Sequence, residues 1–244
     1  SEVSDETLGT AATSGVSTTS SNATDRSDAM VQGDLVLNGV AVGAADASAV
    51  GASTASQDLS AIAIAASINK VSDDSGVSAT VNETAAGGSD VTAAGVAAAA
   101  TAITINNIAI NVSGTGDSAN ISADLQGVAD QINLYSGQTG VTASIDEANL
   151  AAGVTLTAAD GRNIELAGAN AAGVGLASAE TYTGSVTLVS NDGSDIDVSS
   201  NTGDSLENVG IESGTYSGVK ATANSDELGG TALASGDLVV NGVA

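Results

Sequence analysis

Asp192, Asp195 and Asp197, beside Asn191, form a dense acidic stretch of the sequence. Carboxylates so close together are raw material for an oxygen-ligated calcium loop. Such a loop needs acidic ligands at its first, third and fifth positions, glycine at the sixth and glutamate at the twelfth. This stretch fails that spacing, and Asn191-Asp192-Gly193 reads instead as a turn between two strands. Asp73-Asp74 reads as an exposed helix end. Asp46, Glu147, Glu165 and Glu180 share no motif that would pair two carboxylates for glycoside hydrolysis. No glycine-rich phosphate loop follows a strand.

The residue types that are missing narrow the chemistry further. The 244-residue chain has no His and no Cys. Ser-His-Asp triads, Cys-His pairs, zinc sites built on His and disulfides are therefore excluded. No catalytic, cofactor-binding or metal-ligating residue is assigned, no cofactor is expected, and the chain reads as a non-enzyme. Four Lys+Arg against 29 Asp+Glu give a formal charge of -25. Such a surface suits neither nucleic acid nor an anionic membrane as partner. No run is long and apolar enough to span a bilayer. Ser1 onward shows no basic segment followed by an apolar core, so no secretory signal peptide is expected. Sequons stand at Asn22, Asn82, Asn111 and Asn120, a number that a Ser/Thr-rich chain produces by chance.

The elements that carry these residues follow from local pattern. Gly33-Asp34-Leu35-Val36-Leu37-Asn38-Gly39-Val40-Ala41 is two apolar strands around an Asn-Gly turn, a strong short-range hairpin signal. From Asp237 to Ala244 the phrase returns with seven of eight positions identical. A degenerate copy lies at Ala102 to Ile110 around Asn106-Asn107. After the first hairpin, Asp58 or Ser60 caps a helix whose Ala61, Ile64, Ile68 and Val71 share one face. After the second, Ser122 or Asp124 caps a helix with Leu125, Val128, Ile132 and Tyr135 at the same spacing. Residues 68–83 and 132–147 align without a gap with seven identities, so the chain repeats itself. Gly76 and Gly140 read as helix C-cap glycines, and Val77–Val81 as a strand. Two further hairpins are expected: Val154–Thr157 with Asn163–Leu166 around Asp160-Gly161, and Ser185–Val189 with Asp195–Val198 around Asp192-Gly193.

The fold expected is α+β: small modules of antiparallel β-hairpins, each with one packed helix, plus additional β-hairpins. Phe and Trp are absent and only three Tyr occur, so cores must be built from Val, Ile, Leu and Ala. The chain divides into a Ser/Thr-rich flanking segment (1–30), a first repeat (31–100) and a second repeat with an extra hairpin (101–179). A β-hairpin segment (180–233) and the truncated start of a third repeat (234–244) complete it. Ser1 and Ala244 are expected at the same end of the particle.

The repeated phrases resemble bacterial flagellin. Leu37-Asn38-Gly39, Ile68-Asn69 and Gly76-Val77-Ser78-Ala79, repeated at Ile105-Asn106, Ile132-Asn133 and Gly140-Val141-Thr142-Ala143, look like the flagellin hook "IN" motif. Thr155–Ile164 and Thr181–Leu188 are similar to the variable middle of long flagellins. The resemblance runs over roughly 31–244. The heptad helices that build a flagellin filament core are not in this sequence. The resemblance therefore implies a structural, solvent-exposed outer domain carried on the surface of a bacterial flagellar filament. Such a domain is extracellular, is exported through the flagellar channel without a Sec signal peptide, and serves motility. Its implied partners are neighbouring flagellin subunits through core domains absent here, and host receptors or antibodies. The rival implied by the same motif is an adhesin-type surface-binding module or a filament-cap domain.

Overall fold

The computed structural model describes the backbone of residues 15–17, 21–22, 28–203 and 206–216, with side chains from 28 onward except at 204, 205 and 207. Most of segment 1–30, residues 217–233 and the repeated hairpin of 234–244 lie outside the described residues. So do the side chain of the sequon residue Asn22 and the expected position of the two termini.

The fold is α+β, and among the described residues it has four small sheets in which every pairing is antiparallel. Helix α1 (Ala61–Asn69) starts at Ser60, whose hydroxyl accepts from the Ile62 N–H. A single further turn, α2 (Ser72–Ser75), ends at Gly76 with φ 68°. Helix α3 (Ile121–Asn133) and the short α4 (Ser136–Thr139) repeat this arrangement, closed by Gly140 at φ 70°. Both glycines are the left-handed caps their positions suggested. The capping expectation at α3 needs correction: Asn120 is the N-cap residue. Asp124 is buried and turns back to Thr115, accepting from its N–H and its hydroxyl, each at 2.8 Å.

The hydrophobic interior falls into two cores. One is built from Met30 to Ala79 and from Val186 to Ile211. The other takes everything between, from Ala86 to Tyr182. The second core is thus inserted into the first, between the strands Val77–Val81 and Val186–Ser190, which pair with each other. Thr84–Ala86, which falls within the expected first repeat, pairs with Val154–Ala158 inside the inserted module.

The two expected late hairpins do not form as hairpins. Val154–Ala158 pairs with Thr142–Ile145 and Thr84–Ala86, while Ile164–Ala167 pairs with Thr101–Ile105 and Thr181–Thr183. Likewise Val186–Ser190 pairs with Val77–Val81 and Gly15–Ser17, while Ile196–Ser199 pairs with Val36–Leu37 and Gly214–Tyr216. Each Asp-Gly turn is an arch that carries the chain from one sheet to another. The alternating burial that signals a hairpin is present on both sides of each arch. The hydrogen-bonding partners, however, are distant in sequence, and local pattern carries no record of them.

The two modules share one topology: hairpin, helix, strand, strand, arch, and a strand returning to pair with the hairpin. Val198 pairs with Leu37 in one, and Leu166 with Ile105 in the other. In the inserted module the two central strands are joined by the loop 146–153. In the outer module that connection is replaced by the whole insert.

Candidate functional site

The acidic residues singled out in the sequence are not assembled into a site. Asp192 accepts from the Ser194 N–H at 2.9 Å and from the Ser190 hydroxyl at 3.1 Å, which holds its carboxyl below the usual range and closes the arch on itself. Asp195 and Asp197 are exposed, and the Asp197 N–H and carbonyl are both committed to Asn38. Asp73 and Asp74 face solvent on α2. Glu165 lies opposite Thr181 in the strand pair, so alternation puts Glu180 on the other face of the sheet. Glu165 accepts instead from the Thr54 hydroxyl. Asp46 is engaged by Lys70 and Ser48, whose hydrogen bonds bring its carboxyl down to about 2. Glu147 is exposed in the loop 146–153. Among the described residues no three carboxylates converge to hold a metal ion, and no helix is long and apolar enough to cross a membrane.

The organised polar groups are instead four asparagines, two in each module. Asn38 and Asn106 stand at the first position of their turns, with φ of 49° at both. The turn is type I′ in each case, Asn-Gly in one and Asn-Asn in the other. Each side chain bonds in two directions. Asn38 donates to the Ser75 carbonyl at 2.8 Å and accepts from the Asp197 N–H at 2.7 Å. Asn106 donates to the Thr139 carbonyl at 2.8 Å and accepts from the Glu165 N–H at 2.9 Å. Both also donate their own N–H to the same returning strand, at Asp197 and Glu165. One side chain therefore welds the hairpin to the arch strand and to the end of the short helix.

Asn69 and Asn133 end the long helices. Asn69 donates to the Ala79 carbonyl at 2.9 Å and accepts from its N–H at 2.7 Å. Asn133 does the same with Ala143, at 2.9 and 2.8 Å. The primary amide thus imitates a neighbouring strand. Val77–Val81 and Thr142–Ile145 are edge strands of their sheets, and each helix closes one of those edges through its last residue. The four asparagines are the ones that carry the repeat in the sequence, but their partners were not readable there.

Two more polar features hold the modules together. Asn82 and Ser185 lie where the chain leaves and re-enters the outer module. Asn82 donates its N–H to the Ser185 carbonyl at 2.9 Å and its amide to the Ser185 hydroxyl at 3.0 Å. Its carbonyl oxygen accepts from Thr187, so this sequon asparagine is fully engaged, whereas Asn111 and Asn120 are exposed. Asn163, buried after the first arch, donates to the carbonyls of Ala55 and Ser56 at 2.9 and 2.8 Å. Its backbone N–H meets the Ser53 hydroxyl. Its side-chain oxygen and the Thr84 hydroxyl are buried without a partner.

The second arch carries its own signal in the sequence. Val154-Thr155-Leu156, Asp160-Gly161 and Ile164 match Val186-Thr187-Leu188, Asp192-Gly193 and Ile196 without a gap, six identities in eleven positions. That match marks the returning strands of the two modules. No protein-family model matches the chain, and no curated protein matches its sequence.

Proposed function

We propose that this chain is a structural, solvent-exposed outer domain of a flagellin, carried on the surface of a bacterial flagellar filament. The observation that supports the reading is the doubled asparagine framework. The residues that resemble the flagellin "IN" motif, Asn38 with Asn69 and Asn106 with Asn133, make equivalent backbone clamps in both modules. A motif used twice to close sheet edges serves architecture rather than turnover. The acidic surface suits a part held apart from its neighbours in water. On this reading the chain is no enzyme, lies outside the cell, and meets other subunits through domains beyond these residues.

Immunogold electron microscopy with antibodies to residues 28–216 tests the reading on the cells that make the protein. Even labelling along filaments is the expected result. Gold confined to filament tips would favour the cap reading, and gold on the cell body the adhesin reading.

A further inference from the structure

The sheet edges of this protein are managed unevenly. Asn69 closes the edge strand Val77–Val81, and Asn133 closes Thr142–Ile145. The strand Ile108–Val112 is also an edge, the last in its five-stranded sheet. Its inner side pairs with Thr101–Ile105, Ile105 opposite Ile108 and Ile103 opposite Ile110. The two-residue turn makes Ile105 and Ile108 a hydrogen-bonded pair. Ile108, Ile110 and Val112 therefore direct their backbone groups inward, while Ala109 and Asn111 direct theirs outward.

Among the described residues no asparagine clamp or further strand closes that outer side, and the side chains of Ala109 and Asn111 are exposed. Two of the usual edge protections are missing, since no charge and no proline lies within Ile108–Val112. The surrounding sequence is uncharged from Val91 through Gly116, in a chain that otherwise carries a charge of -25.

We infer that Ile108–Val112 is an edge-to-edge docking strand for a second copy of this chain, paired antiparallel about a two-fold axis at Ile110. The strand is self-complementary in that register. Ala109 of one copy faces Asn111 of the other, and the two such pairs exchange four main-chain hydrogen bonds. The facing side chains are small and uncharged. A basic partner is drawn to this surface generally but finds no carboxylate along this edge, whereas a second copy meets a strand free of like charge. The contact is isologous and closes at two copies. It stands apart from the filament reading, since it needs nothing outside these residues.

The test is sedimentation velocity on the full chain at about 1 M NaCl, where the Debye length is roughly 3 Å and self-repulsion is screened. The expected result is twofold mass that falls to the monomer's as salt is removed. Ala109→Glu with Asn111→Glu sets carboxylates opposite one another across the axis. It is expected to abolish the dimer while circular dichroism stays unchanged. Because the chain has no Cys, Ala109→Cys and Asn111→Cys give a second, register-specific readout. Facing positions lie about 4.5–5.5 Å apart and diagonal ones about 7–8 Å, beyond easy disulfide reach. Oxidation of a mixture of the two variants should yield mainly the mixed disulfide. A chain that remains monomeric at high salt, or a mixed disulfide no more abundant than random pairing of the two variants gives, would overturn the inference.

Discussion

Asn69 and Asn133 do the same work in two nested modules: each ends a helix and pairs its side-chain amide with both backbone groups of one alanine, Ala79 or Ala143. Both alanines are buried while both asparagines remain largely exposed. Truncating an asparagine therefore removes two hydrogen bonds and leaves two backbone groups on a strand edge poorly paired. Asn69→Ala and Asn133→Ala should each cost about 1–3 kcal/mol, the usual penalty for orphaning such groups. Asn69→Asp keeps the acceptor but loses the donor, and should fall between. Urea denaturation measures all three, and a loss below about 0.5 kcal/mol would reduce the clamp to ornament.

The C-cap glycines allow a matched comparison. A Cβ on Gly76 meets nothing within 4 Å, whereas one on Gly140 would meet the Arg162 guanidinium at 2.3 Å. Both sit at positive φ. Gly76→Ala should thus cost only the left-handed strain of an L-residue, roughly 1 kcal/mol. Gly140→Ala should cost that and also push Arg162 away from the Thr139 carbonyl and Asp160. Arg162→Ala in the Gly140→Ala background should recover the steric part, visible as non-additivity in a double-mutant cycle.

Much of this framework was legible because it is written locally. Ser60, Gly76, Gly140, Asn38-Gly39 and the apolar faces of α1 and α3 each follow from the conformation their immediate neighbours need. Asn120 displaced Asp124 as cap because the burial of Asp124 against Thr115 is a tertiary contact. The arches at Asp160-Gly161 and Asp192-Gly193 were misread as hairpins for the same reason: a turn between two alternating strands looks alike whether those strands pair with each other or with others. The sequence does hold one sign that the two arches are equivalent, the ungapped match between them, and the returning-strand pairings show the same equivalence. Of the candidate chemistry, the sequence indicated the poor acidic spacing at Asp192. It did not indicate that the asparagines themselves were the organised polar groups.

Acid titration separates one surface pair from the rest. Hydrogen bonds from Lys70 and then Ser48 bring the Asp46 carboxyl from its ordinary 3.8 to about 2 in the folded chain. A lowered folded value means stability that is present above the unfolded value and is lost as pH falls through the folded one. Asp46→Asn should therefore be less stable than the parent above pH 3.8, with the difference fading by about pH 2. Both partners are partly or mostly exposed, so salt should shrink the difference. The unfolding free energy of both chains across that window, at low and high salt, decides the matter.

Ionic strength should act in the opposite sense on the whole chain. Among the described residues the two cations, Lys70 and Arg162, are paired with Asp46 and Asp160. Exposed pairs of this kind contribute little. Repulsion within a chain at -25 is spread over the entire surface and is relieved by screening. The melting midpoint should rise as NaCl is increased. Millimolar calcium should raise it no further than matched ionic strength, because no three carboxylates converge among the described residues. A calcium-specific rise reversed by chelator would reveal a site that binds the native state alone.

Nesting makes the two modules unequal, and mutation should expose the asymmetry. Leu188 is fully buried in the outer core and Leu125 in the inserted one. Either residue changed to alanine should cost its own module about 2–5 kcal/mol. The consequences for the other module differ. When the outer module opens, the insert keeps its own core and its own strand pairings. When the insert opens, the outer module must hold Val81 and Val186 together across a flexible loop of about a hundred residues. The corresponding loop 146–153 is far shorter, and lengthening a loop by that factor costs roughly 2 kcal/mol in closure entropy. The Asn82–Ser185 bonds that pin the two ends of the insert would then bear that load. Leu125→Ala should accordingly lower amide protection throughout 101–183 and, by a smaller margin, in 61–81 and 186–199. Leu188→Ala should lower protection in the outer strands and leave the insert unchanged. Native-state hydrogen exchange reads both patterns residue by residue, and equal losses in both modules from either substitution would mean that the two cores unfold as one.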